Sequence, residues 1–288
     1  MENLTNINVI KDIFERHGFS FSKTLGQNFL INPSVCPKIA EMGNAAEGWG
    51  VLEIGTGVGV LTHELAKRAD KVVAVEIDER LIPILEETLA DHDNVTVINE
   101  DVMKADLAAI IEEHFKGLKV AVCANLPYYI TSPIIMMLLE SRLPIESITV
   151  MVQKEAGKRL CAEMGSRDTG AVTAAVRYYA EPKLLFNVSR GSFMPAPNVD
   201  SCVIRLDVNK EPAVAVSDEA FYFRVVRGAF SQRRKNLCNS LSSAMGIPKN
   251  VVTEAVKEAG VSENARPEQL QLTDLAAVAE ELKRVSEN

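Results

Sequence analysis

Val51-Leu52-Glu53-Ile54-Gly55-Thr56-Gly57-Val58-Gly59-Val60-Leu61 is the stretch that decides the fold. A short apolar run, a cluster of glycines and a renewed apolar pattern from Leu61 read as a buried strand, a tight turn and the opening of a helix. Glycines at such a turn let the backbone bend sharply and approach a ligand closely. The spacing is G-x-G-x-G, whereas the pyrophosphate-binding fingerprint needs its third glycine at position 60, which is Val60. The expectation therefore moves from a dinucleotide toward an adenosyl ligand without phosphates. Taken alone, the motif leaves open a plain strand-to-helix turn or another nucleotide-binding fold.

Outward from this turn, short apolar runs at 51–54, 72–75, 95–98, 120–124 and 148–152 alternate with amphipathic stretches. That spacing predicts helical crossovers and a mainly parallel sheet. Two further strands are expected at 183–188 and 202–207, joined by a loop containing Ser192, Pro195 and Pro197; this last pair could be antiparallel. Residues 207–219 lack a period and form the expected linker. Helices are expected over 220–230, over 249–259 with Gly260 as the stop, and from 273 onward. In the first of these, Phe221, Val225 and Ala229 form one apolar row and Val226 and Phe230 the next, while Arg224 and Arg227 share another face.

A length of 288 residues with 47% hydrophobic content suits two domains, divided here into 1–208 and 209–288. No run approaches the roughly 20 apolar residues of a membrane span, and residues 1–11 lack a signal-like apolar core. A cytoplasmic protein without membrane association is expected. Cys36, Cys123, Cys161, Cys202 and Cys238 are odd in number and form no C-x-x-C pair, which argues against disulfides and zinc. His17, His63, His92 and His114 fall at no metal-like spacing either, and each is expected as a surface or helix residue; no metal is expected. Net charge is −8, yet 221–250 holds Arg224, Arg227, Arg233, Arg234, Lys235 and Lys249 without an acid, leaving the window at +6 and the rest at −14. A polyanion could meet that window and be repelled elsewhere.

Glu76 ends the second strand 21 residues after Gly55, close to the roughly 20 expected of an acid that binds ribose hydroxyls. Asp101 follows the third strand, where a carboxylate could accept from an adenine amine or simply cap a helix. Asn125-Leu126-Pro127-Tyr128 ends the fourth strand. An adenine N6 lone pair is delocalised into the ring, so catalysis on it must hold the amine in line and favour a pyramidal nitrogen. The Asn125 side-chain oxygen and the Leu126 carbonyl, stiffened by Pro127, could accept both N–H bonds while Tyr128 stacks on the base. Such stacking is worth about 1–3 kcal/mol, comparable to the cost of unstacking a base. A proline turn with a core tyrosine remains the alternative.

Gly26-Gln27-Asn28-Phe29-Leu30, the 53–59 loop, Glu76-Ile77-Asp78, Asp101, Asn125 to Ile130, Phe193 to Ser201 (FMPAPNVDS) and Phe230-Ser231-Gln232-Arg233-Arg234-Lys235 occur in one order. In that set the chain resembles the ribosomal RNA adenine N6 dimethyltransferases, specifically the bacterial small-subunit type, from about Lys23 to the C-terminus. The resemblance implies a Rossmann-like α/β seven-stranded methyltransferase domain with a small C-terminal all-α domain. It implies S-adenosylmethionine as methyl donor, held by Asn28 and Leu30, by Gly55 and Gly57 at the methionine end, by Glu76 at the ribose, by Asp101 at the adenine and by Asn125. Phe193 would face Tyr128 across the target base. The implied substrate is a pair of adjacent adenosines in a hairpin loop near the 3′ end of small-subunit ribosomal RNA, within an immature small subunit, each dimethylated at N6. Loop bases cost less to extrude than paired ones. Arg224, Arg227, Arg233, Arg234 and Lys235 would hold the phosphate backbone. No dedicated general base is needed, because the methylated amine is strongly acidic and solvent takes its proton. Before Gly26 only Lys23 is a nearby base, a departure from the more basic N-terminal arm of many relatives. A monomer is expected, and a late-assembly role in the small subunit can coexist with catalysis. The rivals are the sister class that methylates one adenine of large-subunit RNA, a DNA adenine methyltransferase and an assembly factor acting by binding alone.

Overall fold

The computed structural model describes residues 3–20, 26–232 and 234–286. The chain folds as two compact units, 1–157 with 183–208, and 158–182 with 209–288. Residues 158–182, expected in the first domain, thus belong with the later helices.

In the first unit, helix α1 (Ile7–Arg16) precedes strand β1 (Phe29–Leu30) and α2 (Val35–Met42). Four strand–helix repeats follow: β2 (Trp49–Ile54), α3 (Val60–Ala66), β3 (Lys71–Glu76), α4 (Ile82–Thr88), β4 (Val95–Asn99), α5 (Leu107–His114), β5 (Lys119–Asn125) and α6 (Thr131–Glu140). After them come β6 (Ile145–Gln153) and α7 (Lys154–Leu160), within which the chain passes from the first unit to the second. The next helix, α8 (Ala171–Tyr179), belongs to the second unit, and β7 (Ala180–Val188), β8 (Phe193–Met194) and β9 (Ser201–Val208) complete the strands among the described residues. The order β4-β3-β2-β5-β6-β9-β7 forms one seven-stranded sheet. The first five of these strands run parallel, and β9 joins β6 antiparallel with Ser201 opposite Gln153. Val72, Val73, Val122, Ala124, Ile148 and Val150 are fully buried, as in a parallel sheet covered on both faces. β1 lies outside this sheet, paired with β8 so that Leu30 faces Phe193. Phe14 of α1, Phe19 and Phe29 hold that ribbon in a ring cluster with centroids 4.7–6.2 Å apart.

The second unit adds α9 (Glu219–Ala229), α10 (Leu237–Met245), α11 (Lys249–Glu258) and α12 (Leu272–Ser286). Residues 209–218 are irregular, matching the linker reading, while α10 is a helix that the sequence pattern does not announce. Of the apolar rows read for α9, Val225, Val226 and Ala229 are buried as expected, but Phe221 and Phe230 are only half-buried, and Tyr222 and Phe223 are buried in their place. Tyr222 stacks on Tyr178 of α8 at 5.1 Å and Phe223 on Tyr179 at 5.4 Å. Each such pair adds about 0.5–1.5 kcal/mol beyond its buried area. The Tyr178 and Tyr179 hydroxyls both donate to Glu219, in the first turn of α9. This joint is the physical reason that residues before β7 belong with helices far later in the chain.

Candidate active site

The sheet order reverses direction at β2, with β3 and β4 on one side and β5 and β6 on the other. Ligands in open α/β sheets settle outside the carboxyl ends of the strands at this switch point. Four neighbouring strands end there: β4 at Asn99, β3 at Glu76, β2 at Ile54 and β5 at Asn125. One cavity spans these ends, lined by Asn28, Leu30, Gly55, Gly57, Glu76, Asp101, Asn125, Leu126, Pro127, Tyr128 and Phe193. All the residues expected to hold the donor and the target base are therefore gathered in one place. Glu53, Glu100, Ile77 and Tyr129 also line it. Four acidic side chains line it, Glu53, Glu76, Glu100 and Asp101, and among the described residues no lysine, arginine or histidine does.

The floor is the glycine turn. Gly55 and Gly57 take positive φ of 75° and 59°, a region costly for side chains. A Cβ on Gly57 would also stand 3.3 Å from the Phe29 ring, so a bare backbone is needed for β1 to close over the turn. Glu76 ties the floor together: its carboxylate accepts the Gly57 N–H at 3.1 Å and the Asp78 N–H at 3.0 Å. Burial nonetheless pushes its pKa upward. Asp101 Oδ1 accepts the Met103 N–H at 3.0 Å, and its other oxygen stands 3.6 Å from Lys104 Nζ. Asp101 therefore lines the cavity and closes a local turn, whereas the N-cap of α5 is Asp106, so the helix-capping reading of Asp101 does not hold.

Asn125 Nδ2 donates to the Asn28 carbonyl at 3.4 Å, which leaves Oδ1 as the acceptor of that side chain. The Pro127 carbonyl is occupied by the Ile130 N–H and the Thr131 hydroxyl, which anchors the turn to the start of α6. Tyr128 is half-buried, its hydroxyl 2.7 Å from Ser201 Oγ at the start of β9. Burial raises the Tyr128 pKa, so the ring stays neutral. Phe193 is buried on the ribbon opposite Leu30.

Three features lie beyond the sequence reading. Ser201 closes the proline-rich motif, yet only the fold shows it as the anchor of Tyr128. Asp78, held below the usual carboxylate range chiefly by Arg80, accepts from Gln27 Nε2 at 2.7 Å and so fastens the N-terminal segment to the end of β3. Its adjacency to Glu76 is the available signal. His63 and His92 meet with Nδ1 and Nε2 2.6 Å apart, a pairing that a separation of 29 positions conceals.

Glu53 is fully buried on β2, and neither of its oxygens has a well-formed hydrogen bond among the described residues. Burial pushes its pKa up to about 8, helped by the charge of Glu76 and tempered by the nearby Thr62 hydroxyl. A carboxyl whose folded pKa exceeds its unfolded value binds its proton more tightly when folded. Stability therefore falls as pH rises from near 4.5 and levels off above about 8. Glu53→Gln is expected to match the parent near pH 4.5 and to exceed it at pH 8 by on the order of 3–5 kcal/mol in urea unfolding. A pH-independent difference would contradict this.

In the second unit, Arg224, Arg227, Arg234 and Lys235 are exposed, on α9 and the loop after it. Arg224 lies over the Phe221 ring at 4.8 Å. Lys23 and Arg233 lie outside the described residues.

Residues 18–284 match the family model for ribosomal RNA adenine dimethylase. Ribosomal RNA small subunit methyltransferase A of Bacillus licheniformis is 48% identical over 281 residues, covering 96% of each chain, and that of Bacillus mycoides is 48% identical over 286, covering 98% of each. Among solved structures, the 23S rRNA methyltransferase ErmE superposes with a TM-score of 0.68 at 30% identity, covering 89% of this chain and all of that one. A dimethyladenosine transferase from Plasmodium falciparum gives 0.69 at 24% identity, covering 87% and 95%, and supports the fold alone. A match over residues 18–284, a range that contains the glycine turn, acids and strand-end asparagine of the cavity, and 48% identity over nearly the whole length lead to one conclusion: this chain belongs to the ribosomal RNA adenine dimethylase family.

Proposed function

We propose that the chain transfers methyl groups from S-adenosylmethionine to the N6 amines of two adjacent adenosines in a 3′-terminal hairpin loop of small-subunit ribosomal RNA, giving N6,N6-dimethyladenosine. The observation that carries this is the cavity wall: carboxylates and apolar side chains around a bare glycine turn, with no cationic side chain among the described residues. A phosphate-bearing cofactor would be repelled there, whereas an adenosyl sulfonium suits it. When bound, the donor supplies an electrophilic methyl group. Glu76 accepts from the ribose hydroxyls, Asp101 from the adenine amine, and the Gly55–Gly57 backbone borders the methionine end, with Asn28 and Leu30 closing the N-terminal side. Asn125 Oδ1 and the Leu126 carbonyl accept the two N–H bonds of the target amine and favour its pyramidal form. Tyr128, anchored on Ser201, stacks on the base, and Phe193 faces it from the other side. The proton leaves to solvent after transfer.

Calorimetry should show binding of S-adenosylmethionine and S-adenosylhomocysteine, with ATP and NAD at least about 100-fold weaker. Equal competition by ATP would contradict the reading. The second unit recognises RNA through Arg224, Arg227, Arg233, Arg234 and Lys235. Arg234→Ala with Lys235→Ala is expected to weaken subunit binding and to reduce the slope of log K against log salt by about 1.5 to 2 in a titration; an unchanged slope would remove these two from the interface. The chain works in the cytoplasm as a monomer on an immature small subunit and also serves late-stage small-subunit assembly. The 48% identity to small-subunit enzymes, against 30% to a 23S enzyme, favours the small subunit.

A further inference from the structure

Tyr129 is the most exposed large apolar side chain among the described residues, at 63%. It follows Tyr128 directly, lines the same cavity, and sits in the turn before α6. Exposing an aromatic ring to water forgoes the burial that normally holds it in a fold. Its position is nevertheless set by what backs it. Gly26, at φ +60°, comes so close that a Cβ there would stand 3.4 Å from Tyr129 Cε1 and 3.6 Å from Pro127 Cβ. One part of the ring therefore rests on a stiff turn and a bare backbone, and the remainder meets solvent beside the cavity. No hydrogen bond engages its hydroxyl among the described residues, in contrast with Tyr128 on Ser201.

Extruding a base from a loop strips its neighbour of a stacking partner. An exposed ring one residue from the target-base platform is placed to replace that partner. We infer that Tyr129 forms a second base subsite, stacking on the purine adjacent to the target adenosine while Tyr128 holds the target itself. The inference rests on the adenine-methylating function proposed above. Two consecutive tyrosines would then accommodate two consecutive adenosines, and register on the RNA would be set in part by this chain's own loop.

The test compares the full-length parent with Tyr129→Ala, Tyr129→Phe and Tyr129→Trp on unmethylated small ribosomal subunits, with donor affinity measured for each. Tyr129→Ala is expected to raise KM for subunits roughly 10-fold. The Phe and Trp variants should stay near the parent, and the donor Kd should be unchanged throughout. Unchanged donor binding also shows that the variants are folded. Subunit KM unaltered in Tyr129→Ala, a Phe variant as impaired as Ala, or donor affinity falling in step would each overturn the subsite. If the parent itself transfers no methyl group to subunits, the function proposed above fails and this inference with it. If only the Tyr129→Ala effect is missing, that function stands.

Discussion

Asn125→Ala is expected to lower the single-turnover rate of methyl transfer by about 100- to 1,000-fold while weakening donor binding only a few-fold. The reaction makes the target nitrogen positive as its lone pair leaves the ring, so an acceptor aimed at its N–H bonds gains strength in the transition state. Removing one preorganised partner of developing charge costs about that factor. Asn125 is well prepared for the task. It ends β5 between the ends of β2 and β6, and its amide nitrogen is already committed to the Asn28 carbonyl. Alanine keeps the strand and removes the acceptor. Rapid-quench measurements with labelled donor would show the loss; a loss of less than about fivefold would shift the burden to the Leu126 carbonyl and to stacking.

The second large effect concerns the donor. Glu76→Ala should weaken S-adenosylmethionine binding by about 100-fold, leaving the rate at saturating donor within a few-fold of the parent. Hydrogen bonds to a charged group contribute about 1.5–3 kcal/mol each. The substitution also frees the N–H groups of Gly57 and Asp78, so the glycine turn loses the tie that holds it to β3. Glu76→Gln, which retains one carbonyl oxygen, should fall between the two. Calorimetric Kd values for the three forms would decide; an alanine variant that binds the donor normally would place the ribose elsewhere.

Both predictions concern residues legible in the sequence, and the reason is local. β-Branched and small apolar runs mark β2 to β6, and Gly55, Glu76, Asp101 and Asn125 sit at or just past the ends of β2, β3, β4 and β5, where a change from apolar to polar character announces them. The antiparallel placement of β9 beside β6 is not foreseeable in this way, because the proline-rich connection speaks only to the two strands that it joins, β7 and β9. Other parts depend on contacts between distant segments. The β1 and β8 ribbon is two residues long on each side and carries no period. The joint between α8 and α9 depends on Tyr178 and Tyr179 meeting Tyr222 and Phe223 more than 40 positions away. Residues 158–182 therefore cannot be assigned to the second unit from pattern alone. α10 is rich in serine and asparagine, which compete with helical hydrogen bonding and mask its apolar face of Leu237, Cys238 and Leu241. Glu53 reads as an ordinary member of the glycine motif; only burial shows that it lacks a partner there.

The most direct measurement is methyl transfer from labelled S-adenosylmethionine to purified small and large ribosomal subunits lacking these modifications, with the labelled nucleoside identified by mass. The expected result is N6,N6-dimethyladenosine confined to the small subunit; label on the large subunit, or on neither, would contradict the account.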